Sequence, residues 1–347
     1  MKSSIPFLFI VSVIAFAGCG GDDTEKCAFV PDTKNISIDL KWESLEDSLP
    51  AIKTREDLVG FLERHPVINY EFLGGGRLPV DTTFINARFR KFTHPSIDSL
   101  LIETHRIFAN NAADLKKEFT QAFANFKYYY PDFQPPKIQT VITGFERDIF
   151  VTDTLVVIGL DYFLGPKAKY QILDLYDYIK RRYQPGFIVP SVMLLYGIDE
   201  KYNNVNPEDR TMLAEMISYG KAYYFAKQMT PCTPDSVLIG YTAEEIRGSR
   251  QNESLIWSRL IEDQVLFSTN TQDKQKYIIE RPKTLEVGEK CPGRIGQWVG
   301  WRMVQSYHER HPDETLPQIM KQSDAQKMFK ESGYKPQIQQ VPSREKI

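Results

Sequence analysis

The middle of the chain contains two runs rich in β-branched residues, Ile138-Gln-Thr-Val-Ile-Thr-Gly-Phe145 and Ile149-Phe-Val-Thr-Asp-Thr-Leu-Val-Val-Ile158. Runs of this length and composition are typical of β-strands. Arg147-Asp148 lies between the runs and predicts a turn, so we expect the two strands to pair as a hairpin. The chain should therefore contain one small β-sheet near its centre.

Apolar residues at three- and four-residue spacing predict helices on both sides of this sheet. Before the sheet we expect helices in Glu56–Glu63 and His94–Tyr130, and the prolines from Pro131 to Pro136 end the second one. The fold class predicted is therefore α+β, mostly helical with a small central β-sheet. The helices expected after the sheet are Leu173–Tyr183, Pro190–Gly197, Asp209–Gln228, Thr242–Phe267, Arg294–Glu309 and Asp324–Phe329.

The overall composition is that of a globular protein. Of the 347 residues, 42% are hydrophobic and 25% are charged, which is too apolar for a disordered chain. The formal net charge is −2, and the two signs are interspersed along the sequence. No basic field would attract a polyanion, so nucleic acid is not expected as a partner.

The N-terminus is predicted to be a lipoprotein export signal. Lys2 precedes an apolar run over residues 5–18, which is too short to span a bilayer and fits the core of a signal peptide. The run ends in Ala17-Gly18-Cys19, which resembles the lipobox of bacterial lipoproteins. We expect cleavage after residue 18 and acylation of Cys19, whose lipid would anchor the chain to a membrane. The alternative is an ordinary signal peptide that leaves a free thiol.

Outside the lipid site, three cysteines remain. Three is an odd number, so at most one disulfide can form within the chain. Cys232–Cys291 is the expected pair, because both residues lie beside prolines within the folded region, whereas Cys27 belongs to the polar stretch after Cys19. Three unpaired thiols are the alternative.

Several segments along the mature chain together resemble one bacterial family. They occur in the expected order from residue 129 to residue 336, and the lipobox precedes them. Because of these segments, the chain resembles the gliding-motility lipoproteins of the Bacteroidota that are called GldB. The matching segments are Tyr129-Tyr-Pro-Asp-Phe133, Lys137–Phe145, Asp153–Gly165, Arg181-Arg-Tyr-Gln-Pro185, Met216–Lys221, Ile239-Gly-Tyr-Thr242, Asn252-Glu253, Ile256-Trp257, Cys291–Trp301 and Ser332-Gly-Tyr-Lys-Pro336.

The resemblance implies a domain organisation and a role. The signal peptide would be residues 1–18, the lipidated tether 19–38, the GldB-like domain 39–336 and the polar tail 337–347. Within the domain, residues 39–135 would be helical and residues 136–336 would contain the sheet and further helices. The implied role is in surface gliding, beside other envelope proteins of machinery linked to the type IX secretion system. The only attached group would be the lipid on Cys19.

The second half of this family is similar to predicted zinc proteases of the zincin type. Those enzymes carry H-E-x-x-H on one helix, which places two histidines on one helix face with a glutamate as general base. The corresponding stretch here is Ile188–Leu195, which lacks both residue types, and Tyr219 stands where a third ligand would be. We therefore expect a degenerate zincin-like outline, no metal and no catalysis. An active metal-dependent hydrolase remains the alternative, with His308, Glu309 and His311 as its candidate residues.

Two helical segments carry the family's signature residues. Gly293, Gly296 and Gly300 are spaced by three and four residues, which favours close packing against another helix rather than a phosphate loop. Lys221 lies in an apolar helix and should either extend its ammonium group to solvent or pair with Glu215, Glu244 or Glu253. The residues assigned either to core packing or to partner contact are Tyr219, Gly220, Lys221, Gly293, Gly296, Trp298 and Trp301.

Two further features leave alternatives open. Asp148, Asp153 and Asp161 flank the predicted strands, and turn capping explains them as well as acid–base chemistry does. The chain has 18 Tyr, 21 Phe and 4 Trp residues, which allows a glycan-binding or small-molecule-binding lipoprotein. A deep aromatic pocket would favour that alternative.

Overall fold

The structure is a computed structural model that describes residues 27–76, 81–109, 111–173 and 175–337. The predicted signal peptide, Cys19 and the first part of the tether lie outside the described residues, as does the tail after residue 337. No helix within the described ranges is long and apolar enough to cross a membrane.

A four-stranded mixed sheet lies at the centre of the fold. Its strands are β1 (Trp42–Leu45), β2 (Lys137–Val141), β3 (Ile149–Val151) and β4 (Leu155–Gly159), in the order β1-β2-β4-β3. β1 and β4 are both parallel to β2, and only β3 is antiparallel to its neighbour β4.

The predicted hairpin between the two β-branched runs is wrong. The second run itself folds back, because the backbone N–H and the hydroxyl of Thr152 both donate to the carbonyl of Leu155, at 2.8 and 3.0 Å. β3 and β4 are therefore the hairpin, and β4 is inserted between β2 and β3. The pairing of Ile138 with Val156 sets the register of the two central strands.

The alternation of side chains along the strands divides the core in two. Ile138, Val156 and Ile158 point into the main cluster, formed with the helices of residues 95–129 and with those that follow the sheet. Val141 and Val157 point the opposite way, into a smaller cluster formed with residues 45–92. The sheet is thus covered on both faces.

The helices of the chain confirm the predicted class, with corrections to their bounds. His94–Tyr130 is two helices, as is Thr242–Phe267, where the side-chain amide of Asn252 donates to the carbonyl of Gly248 and ends the first. Leu173–Tyr183 forms only a four-residue helix. The helices are α1 (Arg55–Arg64), α2 (Thr82–Phe92), α3 (Pro95–Phe108), α4 (Asn111–Tyr129), α5 (Asp177–Lys180), α6 (Ile188–Ile198), α7 (Met212–Met229), α8 (Asp235–Ile239), α9 (Ala243–Gln251), α10 (Glu253–Glu262), α11 (Thr271–Tyr277), α12 (Ile295–Arg310), α13 (Leu316–Lys321) and α14 (Ala325–Ser332).

α7 and α12 cross at the centre of the main cluster, and glycines allow their backbones to touch. A Cβ atom at Gly220 would lie 2.3 Å from the carbonyl oxygen of Gly300, and one at Gly300 would lie 1.8 Å from the carbonyl oxygen of Met216. Trp298 and Trp301 are buried on α12. The glycine spacing therefore serves close helix packing, as predicted.

Candidate binding groove

A groove of about 2010 Å³ opens between the C-terminal halves of α7 and α12 and the helices α9 and α13. Tyr224 and Lys227 of α7 and His308 of α12 contribute to its lining. Ala28 and Phe29 of the N-terminal segment complete the wall. The groove therefore lies where the chain enters the domain from the side of Cys19.

A disulfide fixes the N-terminal segment to this groove. It joins Cys27 to Cys232, and the backbone N–H of Ala28 donates to the carbonyl of Pro231 at 2.9 Å. The expected pair Cys232–Cys291 is wrong. Cys291 is a free thiol in the loop before α12, and burial raises its pKa to about 12. From Cys27 onward, the predicted tether is attached to the domain.

Aromatic side chains line the groove, and two tyrosine hydroxyls among them form hydrogen bonds with neighbouring residues. The hydroxyl of Tyr129 donates to the side-chain carbonyl of Gln228 at 3.0 Å, and the hydroxyl of Tyr224 is hydrogen-bonded to Nδ1 of His308. Phe29 and Tyr128 keep 64% and 42% of their surface exposed. These two rings are free to contact a ligand, whereas Tyr224 belongs to the floor.

Three cations of the groove are paired with carboxylates, and two further carboxylates are exposed on its rim. Asp235 lies between two cations, 3.0 Å from Nζ of Lys227 and 2.5 Å from Nη2 of Arg250. Arg302 of α12 lies 3.0 Å from Glu253. The exposed carboxylates of the rim are Glu309 at the end of α12 and Asp313 just beyond it.

The histidines of the alternative metal site do not converge. His308 is hydrogen-bonded to Tyr224, and burial lowers the pKa of its imidazole. His311 is hydrogen-bonded through Nδ1 to the carbonyl of Tyr307 and stacks on that ring. Nowhere among the described residues do three or more His, Cys, Asp or Glu side chains form a group able to hold a metal ion.

The stretch that was expected to correspond to the zincin motif lies in the core. Ile188–Leu195 is on α6, which packs against α7 and β3. Tyr219 is half-buried against the main cluster, and burial raises the pKa of its hydroxyl. Neither Ile188–Leu195 nor Tyr219 lines the groove.

The other signature residues are also positions of close packing. A Cβ atom at Gly293 would lie 1.7 Å from the carbonyl oxygen of Arg281, and one at Gly296 would lie 2.7 Å from Cδ1 of Ile278. Of the predicted candidates, Tyr219, Gly220, Gly296, Trp298 and Trp301 belong to the core rather than to an exposed contact surface. Two residues of the alternative metal site, His308 and Glu309, do line the groove.

Lys221 is buried, and its acceptors are backbone carbonyls. Its ammonium group donates to the carbonyls of Met320 and Gln322 at 3.2 and 2.9 Å and to that of Asn204 at 2.5 Å. The expected pairing with Glu215, Glu244 or Glu253 is wrong, since the ammonium group is bound by these backbone carbonyls, and Glu215 and Glu253 pair with Lys274 and Arg302 instead. Burial lowers the pKa of Lys221 to about 7.

The sequence analysis did not predict a buried hydrogen-bond network around Arg294. Its guanidinium donates to the carbonyl of Ile239 at 2.6 Å and to the hydroxyl of Tyr223 at 3.1 Å, and Tyr223 donates to Gln297 at 2.8 Å. Arg294 also lies 3.2 Å from Glu280. The network joins α7 to the start of α12 and stabilises their crossing.

The three aspartates near the strands act separately. Asp148 accepts from the hydroxyl of Tyr183 at 2.9 Å, and Asp153 lies 2.9 Å from Nζ of Lys201. Asp161 is fully buried and accepts from the backbone N–H of Phe145 at 2.6 Å. Burial raises the pKa of Asp161 to about 6. Each carboxylate has a different partner, 16 to 48 residues away along the chain, so these contacts are long-range rather than turn caps.

Comparison with known proteins assigns the family. A model of the gliding motility protein GldB family matches residues 26–336. The chain belongs to the GldB family. Searches of curated proteins and of solved structures gave no match. The GldB match begins one residue before Cys27 and covers the whole groove.

Proposed function

We propose that this chain is a lipid-anchored envelope protein that acts in gliding motility by binding another envelope component in the groove. The groove itself carries the proposal, because it is wide, open and lies beside the segment that leads to Cys19. Membership of the GldB family supports the motility role. The acyl group on Cys19 would hold the groove near the membrane, and no other cofactor is required.

The proposed role is binding without catalysis. Lys227 and Arg250 share the carboxylate of Asp235, and His308 is engaged by Tyr224. Such paired groups fix the shape of the groove and present a stable surface. We propose that its partners are other envelope proteins of the gliding and type IX secretion machinery.

A glycan-binding lipoprotein is the second candidate function. The exposed rings of Phe29 and Tyr128 favour it, since flat aromatic faces combine apolar area with few rotatable bonds. Binding of envelope polysaccharide by the purified domain, lost on Tyr128→Ala, would support this candidate over a protein partner.

The direct test is colony spreading of a strain that lacks the gene. We expect the deletion to abolish spreading and the wild-type chain to restore it, whereas Cys19→Ala should not restore it although the folded domain is made. Normal spreading of the deletion strain would refute the motility role. Full rescue by Cys19→Ala would refute the requirement for the lipid.

A further inference from the structure

We infer that the groove binds a polypeptide segment of a membrane-embedded partner, at the point where that segment leaves the bilayer, and that the Cys27–Cys232 disulfide holds the groove there. The inference rests on the proposed lipid anchor at Cys19. It adds the class of the ligand, its position relative to the membrane and the role of the disulfide.

The disulfide limits how far the groove can move from the anchor. Cys27 is eight residues after Cys19, and an extended chain covers at most about 3.6 Å per residue, so the two Cα atoms lie within about 29 Å of each other. Cys232 itself lines the groove. The lining therefore remains within a few nanometres of the membrane surface.

Without the disulfide, the same chain would permit a much larger distance. After Cys27, the chain joins the β-sheet at Lys41, whose carbonyl accepts from the backbone N–H of Ile138 at 2.8 Å. If the segment between Cys27 and Lys41 detached, 22 residues could extend to about 79 Å. The disulfide thus restricts the ligand to components close to the bilayer.

The size of the groove favours a macromolecular segment. Sites for small molecules usually enclose about 300–1,000 Å³, and this groove has about 2010 Å³. Its lining includes tyrosine and arginine side chains, the residue types that contribute most to protein–protein interfaces.

The charges favour a polypeptide over an anionic lipid surface. Glu309 and Asp313 on the rim would repel phosphate headgroups. The guanidinium groups of Arg250 and Arg302 are already paired with Asp235 and Glu253, so they add little attraction for an anionic surface. A polypeptide segment with basic residues toward Glu309 and Asp313 complements the rim, whereas a neutral glycan would not use these charges.

Photocross-linking of the full lipoprotein in living cells tests this inference. We would replace Tyr128 with photoreactive benzoylphenylalanine, and use Tyr176 as the matched control because its ring is also exposed but lies outside the groove. Mass spectrometry of the Tyr128 adduct should identify a peptide next to a membrane-spanning segment of a second protein. The adduct from position 176 should be at least tenfold weaker.

A second measurement tests the membrane position. Inserting twenty Gly/Ser residues after Asp23 should lower the cross-link yield at position 128 several-fold, because a longer tether lowers the effective concentration of the groove at the membrane. Cys232→Ser should lower the yield in the same direction.

The outcomes separate this inference from the proposed function. Adducts with lipid or glycan alone, equal adducts from positions 128 and 176, or a yield unchanged by the insertion would each overturn the inference. The motility role would survive those results if Cys19→Ala still failed to restore spreading.

Discussion

The two halves of one helix pair, α7 and α12, differ sharply. In the middle of the pair, Gly220 lies against the backbone of Gly300, and no side chain separates the helices. Toward their C-terminal ends, Tyr224 and His308 meet through polar atoms, and the groove opens. The same two helices thus supply both a close backbone contact in the core and part of the lining of an open groove. At the crossing, glycines have no side chain and the two backbones come into contact. Toward the C-terminal ends, large polar side chains line the groove.

The largest effect on stability is expected at the crossing. Gly300→Val would place a branched side chain where even a Cβ atom lies 1.8 Å from the carbonyl oxygen of Met216. The helices must then separate, and we expect the free energy of unfolding to fall by about 3 kcal/mol or more in denaturant titration. Gly248→Ala in α9, where a Cβ atom meets nothing within 4 Å, is the control and should gain up to about 1 kcal/mol. Equal stability of the two variants would contradict the close crossing.

The next effect is expected on the groove side, at the disulfide. Cys232→Ser should lower the free energy of unfolding by about 2–4 kcal/mol, because the bond closes a loop of 205 residues that is otherwise free in the unfolded chain. Cys291→Ser is the matched control, and its effect should be smaller because this thiol crosslinks nothing. If reducing agent shifts the thermal unfolding of the Cys291→Ser variant no more than that of Cys232→Ser, the disulfide pairing described above is wrong.

Lys221, near the crossing, should have a smaller effect, which appears as a pH dependence of the free energy of unfolding. The folded pKa of about 7 lies below the ordinary value of 10.5, so the unfolded chain binds more protons between these values. Stability should therefore rise with pH across this window. Lys221→Met should lower stability, since the carbonyls of Met320 and Gln322 lose their donor. The stability of the wild type relative to Lys221→Met, measured by urea titration from pH 7 to 10, should increase. A constant difference would show that Lys221 stays charged.

Much of this fold follows from the sequence, because α7, α12 and β2 each carry their own apolar pattern. The four residues of β1 have no such signal, since their partner β2 lies almost 100 residues away. The parallel pairing of β2 and β4 was not predicted for a similar reason. The turn at Thr152 depends on hydrogen bonds that composition does not reveal. Gly300 was recognisable by its spacing from Gly293 and Gly296, whereas spacing did not identify Gly220, its partner on α7.

The groove was much harder to predict. Its lining comes from six helices and from the N-terminal segment, so no single stretch of sequence contains it. Cys27 was assigned to the tether, which removed the true partner of Cys232 from consideration. The acceptors of Lys221 are backbone carbonyls, and every residue type carries one. These features depend on tertiary placement, which local patterns do not encode.

The smallest effect on stability is expected for the rim of the groove, where Glu309 and Asp313 are exposed. Reversing both charges should change the free energy of unfolding by no more than about 0.5 kcal/mol for each substitution. Glu200→Lys with Glu208→Lys is the matched control, because both residues are exposed and lie outside the groove. Thermal unfolding of the two purified double variants would verify that both are folded.

The most direct test of the account is colony spreading of the deletion strain complemented with these two double variants. If the groove binds the partner, Glu309→Lys with Asp313→Lys should fail to restore spreading at normal protein levels, whereas Glu200→Lys with Glu208→Lys should restore it fully. Full spreading with both variants would contradict the claim that the groove is the site through which this protein acts.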